Sequence, residues 1–182
     1  MYNIYGSTLP IETLSKYMSR VFIETGTNNA QGVRTALHCN FEKIISIEID
    51  SQKQKNNAES LKKEIVSGKV DLISGDVIDY FPKVLESLND TATFFFDAHW
   101  DFGVKGKTVC SLNFELDELK KHHIKNHIIL IDDRRCFGPN HHWGSDINES
   151  VIIKKILEIN PNYTVVYEDN TVAKNDLIVA FI

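Results

Sequence analysis

Cysteine is scarce in this 182-residue chain: Cys39, Cys110 and Cys136 are odd in number and share none of the close spacings of a zinc site. That points to reduced thiols in a cytosol-like compartment rather than to a disulfide framework. No apolar run approaches the roughly 20 residues that a membrane-spanning helix requires. Met1 to Pro10 has neither the basic start nor the continuous apolar stretch of a signal peptide. A soluble, cytoplasmic protein with no membrane partner is the expectation. Positive charge is not in excess either, with 20 Lys and Arg against 25 Asp and Glu and a net charge of −5. The scattered lysines form no basic face for duplex phosphates, so no nucleic-acid partner is expected. There is no internal repeat and no low-complexity linker. One domain over residues 1–182, with 1–19 as a lead-in helical region, is the simplest organisation, and the chain is long enough to bury a real core.

What is present is alternation. Apolar runs of strand type alternate with helical patterns almost from end to end, which predicts a parallel sheet covered by helices on both faces. A leading helix at Pro10 to Ser19 precedes strand one at Arg20 to Glu24. A helix at Gln31 to Cys39 leads to strand two at Lys43 to Ile49. A polar helix over Ser51 to Ser67 stops at Gly68, as helix C-termini often do. Strand three is Val70 to Ser74, and the helix at Ile78 to Leu88 must hold Pro82 in its first turn. Strand four, Thr91 to Phe96, is continuously apolar and so is expected to be buried on both faces. The helix Leu112 to His122 carries Leu112, Leu116 and Leu119 on one stripe, and strand five is His127 to Ile131. A helix near Ser150 to Ile159 precedes strands Tyr163 to Tyr167 and Leu177 to Phe181. Only nine residues separate these last two, too few for a helical crossover, so they should form a hairpin with one antiparallel strand. The expected fold class is α/β: a three-layer, doubly wound, mostly parallel seven-stranded sheet with an antiparallel last strand.

Two irregular stretches interrupt this pattern, Ala98 to Ser111 after strand four and Asp133 to Ile147 after strand five. Loops of that length in a compact domain are commonly functional. Strand ends are also where an α/β sheet places its ligands, and here they are acidic: Glu24, Glu48-Ile49-Asp50, Phe96-Asp97 and Asp132-Asp133. After strand one, Glu24-Thr25-Gly26-Thr27 forms a turn at which Gly26 lets a ligand approach the backbone, with Thr27, Asn28 and Asn29 adding hydrogen-bonding groups. Ala30 and Gly32 do not reproduce the three-glycine dinucleotide fingerprint, and Glu24 would repel a pyrophosphate. A cationic ligand suits it better. Glu48 holds the usual position of a carboxylate that accepts from ribose hydroxyls. Asp76, in Ser74-Gly75-Asp76-Val77, is placed to accept from an adenine amino group; the competing roles are helix capping for Asp76 and surface charge for Glu48.

These residues resemble, in order and spacing, the motifs of class I S-adenosylmethionine-dependent methyltransferases of the Rossmann-like kind. The resemblance runs from about Val21 to the C-terminus. Glu24-Thr25-Gly26-Thr27 is similar to the first motif, Ile47-Glu48-Ile49-Asp50 to the acidic second-strand motif, and Gly75-Asp76 to the adenine-contacting turn. The terminal hairpin resembles the reversed last strand. The resemblance implies S-adenosylmethionine as cofactor, bound by Glu24, Gly26, Thr27, Asn28, Glu48, Asp76 and Asp97.

Within that class, Phe96-Asp97-Ala98-His99-Trp100 and Leu130-Ile131-Asp132-Asp133 resemble metal-dependent O-methyltransferases of the catechol, caffeoyl-coenzyme A and antibiotic-sugar types. By that resemblance Asp97, Asp132 and Asp133 are ligands of Mg²⁺ or another divalent cation, which prefers carboxylate oxygens and would relieve the mutual repulsion of the three acids. The implied reaction is O-methylation of a small hydroxylated acceptor, such as a sugar, with the metal lowering the pKa of the hydroxyl. Trp100 stands where the catechol pattern has its lysine base. His99 is the nearest replacement, with Lys105 and Lys107 as further candidates, so the expected catalytic residues are Asp97 and His99.

Trp100 and Trp143, with His141 and His142, offer aromatic surface for an acceptor, although Trp is more often simply buried. Arg134 and Arg135 either grip an acidic group on the acceptor or neutralise nearby acids. His122 and His123 end a helix and need no ligand. Loss of the lysine leaves open a non-catalytic protein that keeps the cofactor fold. Asp97-Ala98-His99 and Gly75-Asp76-Val77-Ile78-Asp79 also resemble pieces of metal-dependent phosphoesterases, but in the wrong order and with no later Gly-Asn-His. The acceptor and the oligomeric state, a homo-oligomer included, stay open.

Overall fold

A computed structural model describes residues 8–99, 105–139, 141 and 143–182. The elements in chain order are α1 (Ile11–Leu14), β1 (Val21–Thr25), α2 (Gln31–His38), β2 (Lys43–Glu48), α3 (Ser51–Ser60), α4 (Lys62–Val66), β3 (Val70–Ser74), α5 (Val77–Ser87), β4 (Ala92–Phe96), α6 (Leu112–Lys121), β5 (Ile128–Ile131), α7 (Glu149–Ile159), β6 (Thr164–Glu168) and β7 (Leu177–Phe181). A short 3₁₀ turn, Arg134–Cys136, follows β5. The strands form one sheet in the order β3-β2-β1-β4-β5-β7-β6. β7 runs antiparallel to both of its neighbours, and the other pairings are parallel. This is the three-layer, doubly wound α/β sheet expected from the alternation, with the reversed strand where the nine-residue connection put it.

Alternation along the strands divides the core into two layers. Phe94 and Phe96 of β4 point to one face with Ile23, Ile47, Ile129 and Ile131, and are covered by α5, α6 and α7. Phe95 points to the other face with Phe22, Ile44 and Leu130, beneath α1, α2 and Leu61. All five residues of β4 are buried, as a strand covered on both faces requires. Phe81 of α5 packs edge-on against Phe94 and Phe96, with ring centroids 5.8 and 5.7 Å apart. Such pairs add about 1 kcal/mol each beyond the area they bury. The two central strands are therefore the most firmly held, and the C-terminal ends of β1 and β4 inherit that rigidity.

Three features depart from expectation by more than a one-residue shift at an element end. The polar helix is broken at Leu61, where φ −110° and ψ 19° turn its side chain into the core; α3 itself buries only Gln54 and Asn57, so one apolar anchor decides the break. Pro82 lies in the middle of α5 rather than in its first turn, which leaves the Ile78 carbonyl without its usual helical donor. The leading helix is a single turn, Ile11–Leu14.

Candidate functional site

The turn after β1 is shaped by close approach. Gly26 has φ +86°, and a Cβ there would run into the backbone carbonyl of Asp97 at the end of β4. Its N–H and that of Thr27 both donate to the Ile47 carbonyl, at 2.9 and 3.2 Å. Beneath the turn lies a buried polar cluster that the sequence motifs did not reveal. Ser46 Oγ donates to Glu24 Oε2 at 2.5 Å and lies 2.6 Å from Thr27 Oγ1. Gln54 Nε2 donates to the Ile73 carbonyl, and Asn57 Nδ2 to the Asn28 carbonyl, both at 2.9 Å. Glu24 is 2% exposed. Burial drives its carboxyl well above the usual range, the Ser46 bond opposes this, and the charges of Asp97 and Glu48 add to it. Glu24 and Thr27 thus sit under the floor of the site, and neither lines it.

Above that floor is a cavity of about 380 Å³, lined among others by Gly26, Asn28, Glu48, Asp76, Asp97 and His99. The ends of four strands, β1 to β4, or the turns after them are brought to one place, as the sheet topology requires. Glu48 accepts from Asn28 N–H at 2.6 Å and from Asp50 N–H at 2.8 Å, so its carboxylate is fixed at the cavity wall. Asp76 does cap its helix, accepting from Ile78 N–H at 2.9 Å. Its other oxygen accepts from Lys107 N–H at 2.7 Å. Lys107 Nζ is paired with Asp79, and Lys53 Nζ donates to Asn28 Oδ1 at 2.8 Å.

At the far end of the cavity, Asp97, His99 and Asp133 bring their donor atoms within 4.8 Å of one another. His99 Nε2 lies 2.7 Å from Asp133 Oδ2 and 3.3 Å from Asp97 Oδ1. Burial disfavours charge on His99, but the Asp133 and Asp97 carboxylates prevail and lift its pKa to about 10. Asp133 is held low despite burial by His99 and by Arg135, whose Nη1 is 2.6 Å away. Asp97 is raised by burial, against the pull of His99. Asp132, expected alongside Asp97, joins a neighbouring group with Asp133 and Asp176 instead. Its Oδ1 accepts from Asp133 N–H and from Asn170 Nδ2, both at 2.8 Å. Burial, with Asp97 and Asp133 adding, pushes it to about 7. Asn170 and Asp176 belong to the β6–β7 connection, and Asp176 also receives Arg135. Distance along the chain hid both residues from motif reading.

Trp143 is 7% exposed and lies behind His99, ring centroids 4.4 Å apart, with His141 at 4.5 Å on it. It therefore supports the cluster rather than lining the cavity. Arg134 is turned away to the hairpin, donating to Glu149 Oε2 at 2.7 Å and lying over the Tyr167 ring. Of the two arginines, Arg135 is the one that neutralises the acids. Trp100 and His142, expected at the acceptor side, lie outside the described residues. Glu115 was also missed: it occupies the buried stripe of α6 beside Thr25 and Ser111, and burial raises its pKa to about 8. Its position in the same stripe as Leu112 and Leu119 was the available signal. His122 does more than end a helix. Its Nδ1 lies 3.0 Å from His127 Nε2, and His127 Nδ1 accepts from Ala92 N–H at 3.1 Å.

No protein-family model matches the chain, and no curated protein matches it in sequence. Solved structures do match in fold. A methyltransferase from Geobacter sulfurreducens superposes with a TM-score of 0.60 at 10% identity, over 94% of this chain and 74% of that one. TomG, an O-methyltransferase from Streptomyces achromogenes involved in tomaymycin synthesis and solved with S-adenosylmethionine, gives 0.57 at 14% identity over 90% and 73%. An O-methyltransferase from Bacillus cereus, solved with S-adenosylhomocysteine, gives 0.57 at 11% identity over 90% and 74%. At these identities the likeness is one of fold.

Proposed function

We propose that this protein is an S-adenosylmethionine-dependent methyltransferase that O-methylates a small hydroxylated acceptor such as a sugar, assisted by a divalent cation. The observation that carries the reading is the single cavity joining Gly26, Glu48 and Asp76 to the Asp97-His99-Asp133 cluster. The chain's residues fit the cofactor. A side chain at Gly26 would close the turn against Asp97, and Glu48 stands fixed at the ribose position. A carboxylate oxygen accepts two donors, so Asp76 Oδ2 can take an adenine amino group while keeping Lys107 N–H. S-Adenosylmethionine would supply an electrophilic sulfonium methyl, a cation that suits the acidic lining of Glu48, Asp50, Asp76 and Asp97. Glu24 and Thr27 act from below by fixing the turn.

The cation's residues fit as well, with Asp97, His99 and Asp133 as the holders and Asp132 one layer behind. Bound there, the cation would polarise the acceptor hydroxyl. Asp97 borders the cavity beside the acceptor, and the proton of the polarised hydroxyl would pass to solvent as the oxygen is methylated. Held by Gly26, Glu48 and Asp76, S-adenosylmethionine would give its methyl group to that oxygen, the sulfur keeping the electron pair of the broken carbon–sulfur bond. Much of the acceleration then comes from holding the two reactants in position.

Calorimetric titration with S-adenosylhomocysteine tests the cofactor half, and absence of binding both with and without a divalent cation sinks it. Asp97→Ala should bind the product and lose transfer. Binding by the unaltered protein, with no transfer to any acceptor in a broad hydroxylated panel, favours a non-catalytic cofactor-binding protein instead.

A further inference from the structure

Three donor atoms of two chemical kinds converge beyond the ends of β4 and β5. His99 Nε2 stands 3.3 Å from Asp97 Oδ1 and 2.7 Å from Asp133 Oδ2. Donors about 2.1 Å from one ion and at right angles to each other lie ~3.0 Å apart. The observed separations are those of adjacent corners of one coordination shell. Asp132 is grouped instead with Asp133 and Asp176, and its Oδ1 accepts from Asp133 N–H and the Asn170 amide. Asp133 offers only Oδ2, since Oδ1 is held by Arg135 at 2.6 Å.

The imidazole is held in place from two sides. An isolated antiparallel bridge to Cys110 fixes the backbone of His99, and the Trp143 ring lies against its face at 4.4 Å. Arg135 is itself anchored on Asp176, which is 2% exposed. Supporting partners of this kind orient ligands and tune their affinity.

The geometry points to a cation site of one nitrogen and two oxygens, Asp97, His99 and Asp133, that takes a first-row transition ion such as Mn²⁺ or Co²⁺ in preference to Mg²⁺. The inference rests on the methyltransferase reading only for what the ion does. The choice of ion follows from the donors. Mg²⁺ is hard, keeps several waters and selects oxygen, whereas imidazole nitrogen suits the borderline ions of the first transition row.

The test uses the full chain, stripped with a chelator and titrated by calorimetry with Mn²⁺ and separately with Mg²⁺. Bound Mn²⁺ is then examined by electron spin-echo modulation for a directly bonded ¹⁴N. The expected result is Mn²⁺ binding at least about tenfold tighter than Mg²⁺, with a ¹⁴N coupling that His99→Gln removes. Equal affinities with no ¹⁴N coupling overturn the proposal in favour of an oxygen-only site. Failure of both ions to bind overturns it as well, and leaves a protonated His99 bridging two carboxylates. The wild-type measurement stands if the variant does not fold. A parallel wild-type titration with S-adenosylhomocysteine separates the two readings: no product binding together with selective, nitrogen-ligated Mn²⁺ refutes the methyltransferase reading and leaves the ion site intact.

Discussion

Replacing Gly32 with alanine should destabilise the protein, although local propensity says the opposite. Gly32 lies in the first turn of α2, and alanine there would gain about 1 kcal/mol of helix propensity. An added Cβ, however, would overlap Glu24 Oε1. A carboxyl end normally swings aside at little cost. This one cannot, because Glu24 is 2% exposed and its other oxygen accepts from Ser46 at 2.5 Å. Moving it costs about 1–3 kcal/mol for the disturbed buried hydrogen bond and about 1–3 kcal/mol for overpacking. The clash wins by roughly 1–5 kcal/mol, a fall in Tm of about 2–20 °C for a domain of this size. Thermal and urea unfolding measure it. In a Glu24→Ala background the obstacle is gone, so the same substitution should become neutral or stabilising. Gly32→Ala at wild-type stability or above, or equal effects in both backgrounds, would refute the argument that Glu24 is locked beneath the turn.

Two further outcomes follow from the geometry. Burial, reinforced by His122, His123 and Lys125, lowers His127 from the ordinary 6.5 to about 3. As pH falls through 6.5 the unfolded chain takes up this proton and the folded chain does not. The stability contributed by neutral His127 is therefore complete above about 6.5 and is lost progressively toward 3. Between pH 7 and 5 the loss is about 2 kcal/mol. It should be read as a narrowing gap between wild type and His127→Gln, because the raised carboxyls of Glu115 and Asp132 favour the folded state at low pH. A gap that does not change with pH contradicts the assignment. Arg134→Ala should lower stability by about 1 kcal/mol, through loss of a half-exposed ion pair and the contact over Tyr167, with S-adenosylhomocysteine affinity unchanged in calorimetry; a weakened affinity would return Arg134 to the site.

The layers and the reversed last strand were legible because they rest on periodicity and connection length, which are local. The run Ala92–Phe96 and the short link before β7 each had one sensible reading. The ends of β1, β2, β4 and β5 were legible as a site because acids there are costly unless used. What stayed hidden depended on partners distant in the chain. Glu24 reads as a cavity residue until Ser46 and Gly32 are seen to enclose it. Asp132 and Asp133 read as an equivalent pair, yet Asp133 takes φ +58° and turns to His99, while Asp132 is claimed by Asn170. Nothing in a one-dimensional pattern distinguishes adjacent aspartates that point different ways. The Leu61 break was hidden for the opposite reason: one leucine in a polar helix is a weak signal, and the core below it is not.

The bonds that join Asn170 to Asp132 and Asp176 to Arg134 and Arg135 have a consequence for the order of assembly. β1, β2 and β4 can pair as soon as their crossovers form, but the acidic end of β5 is completed only when the β6–β7 connection docks on it. Those contacts span 38 and 41 positions in the chain, and contacts of such separation close slowly. The acidic end of β5 should thus be among the last regions to become native during refolding, and pulse-labelling hydrogen exchange should find the Arg134 and Arg135 amides protected later than those of β1, β2 and β4.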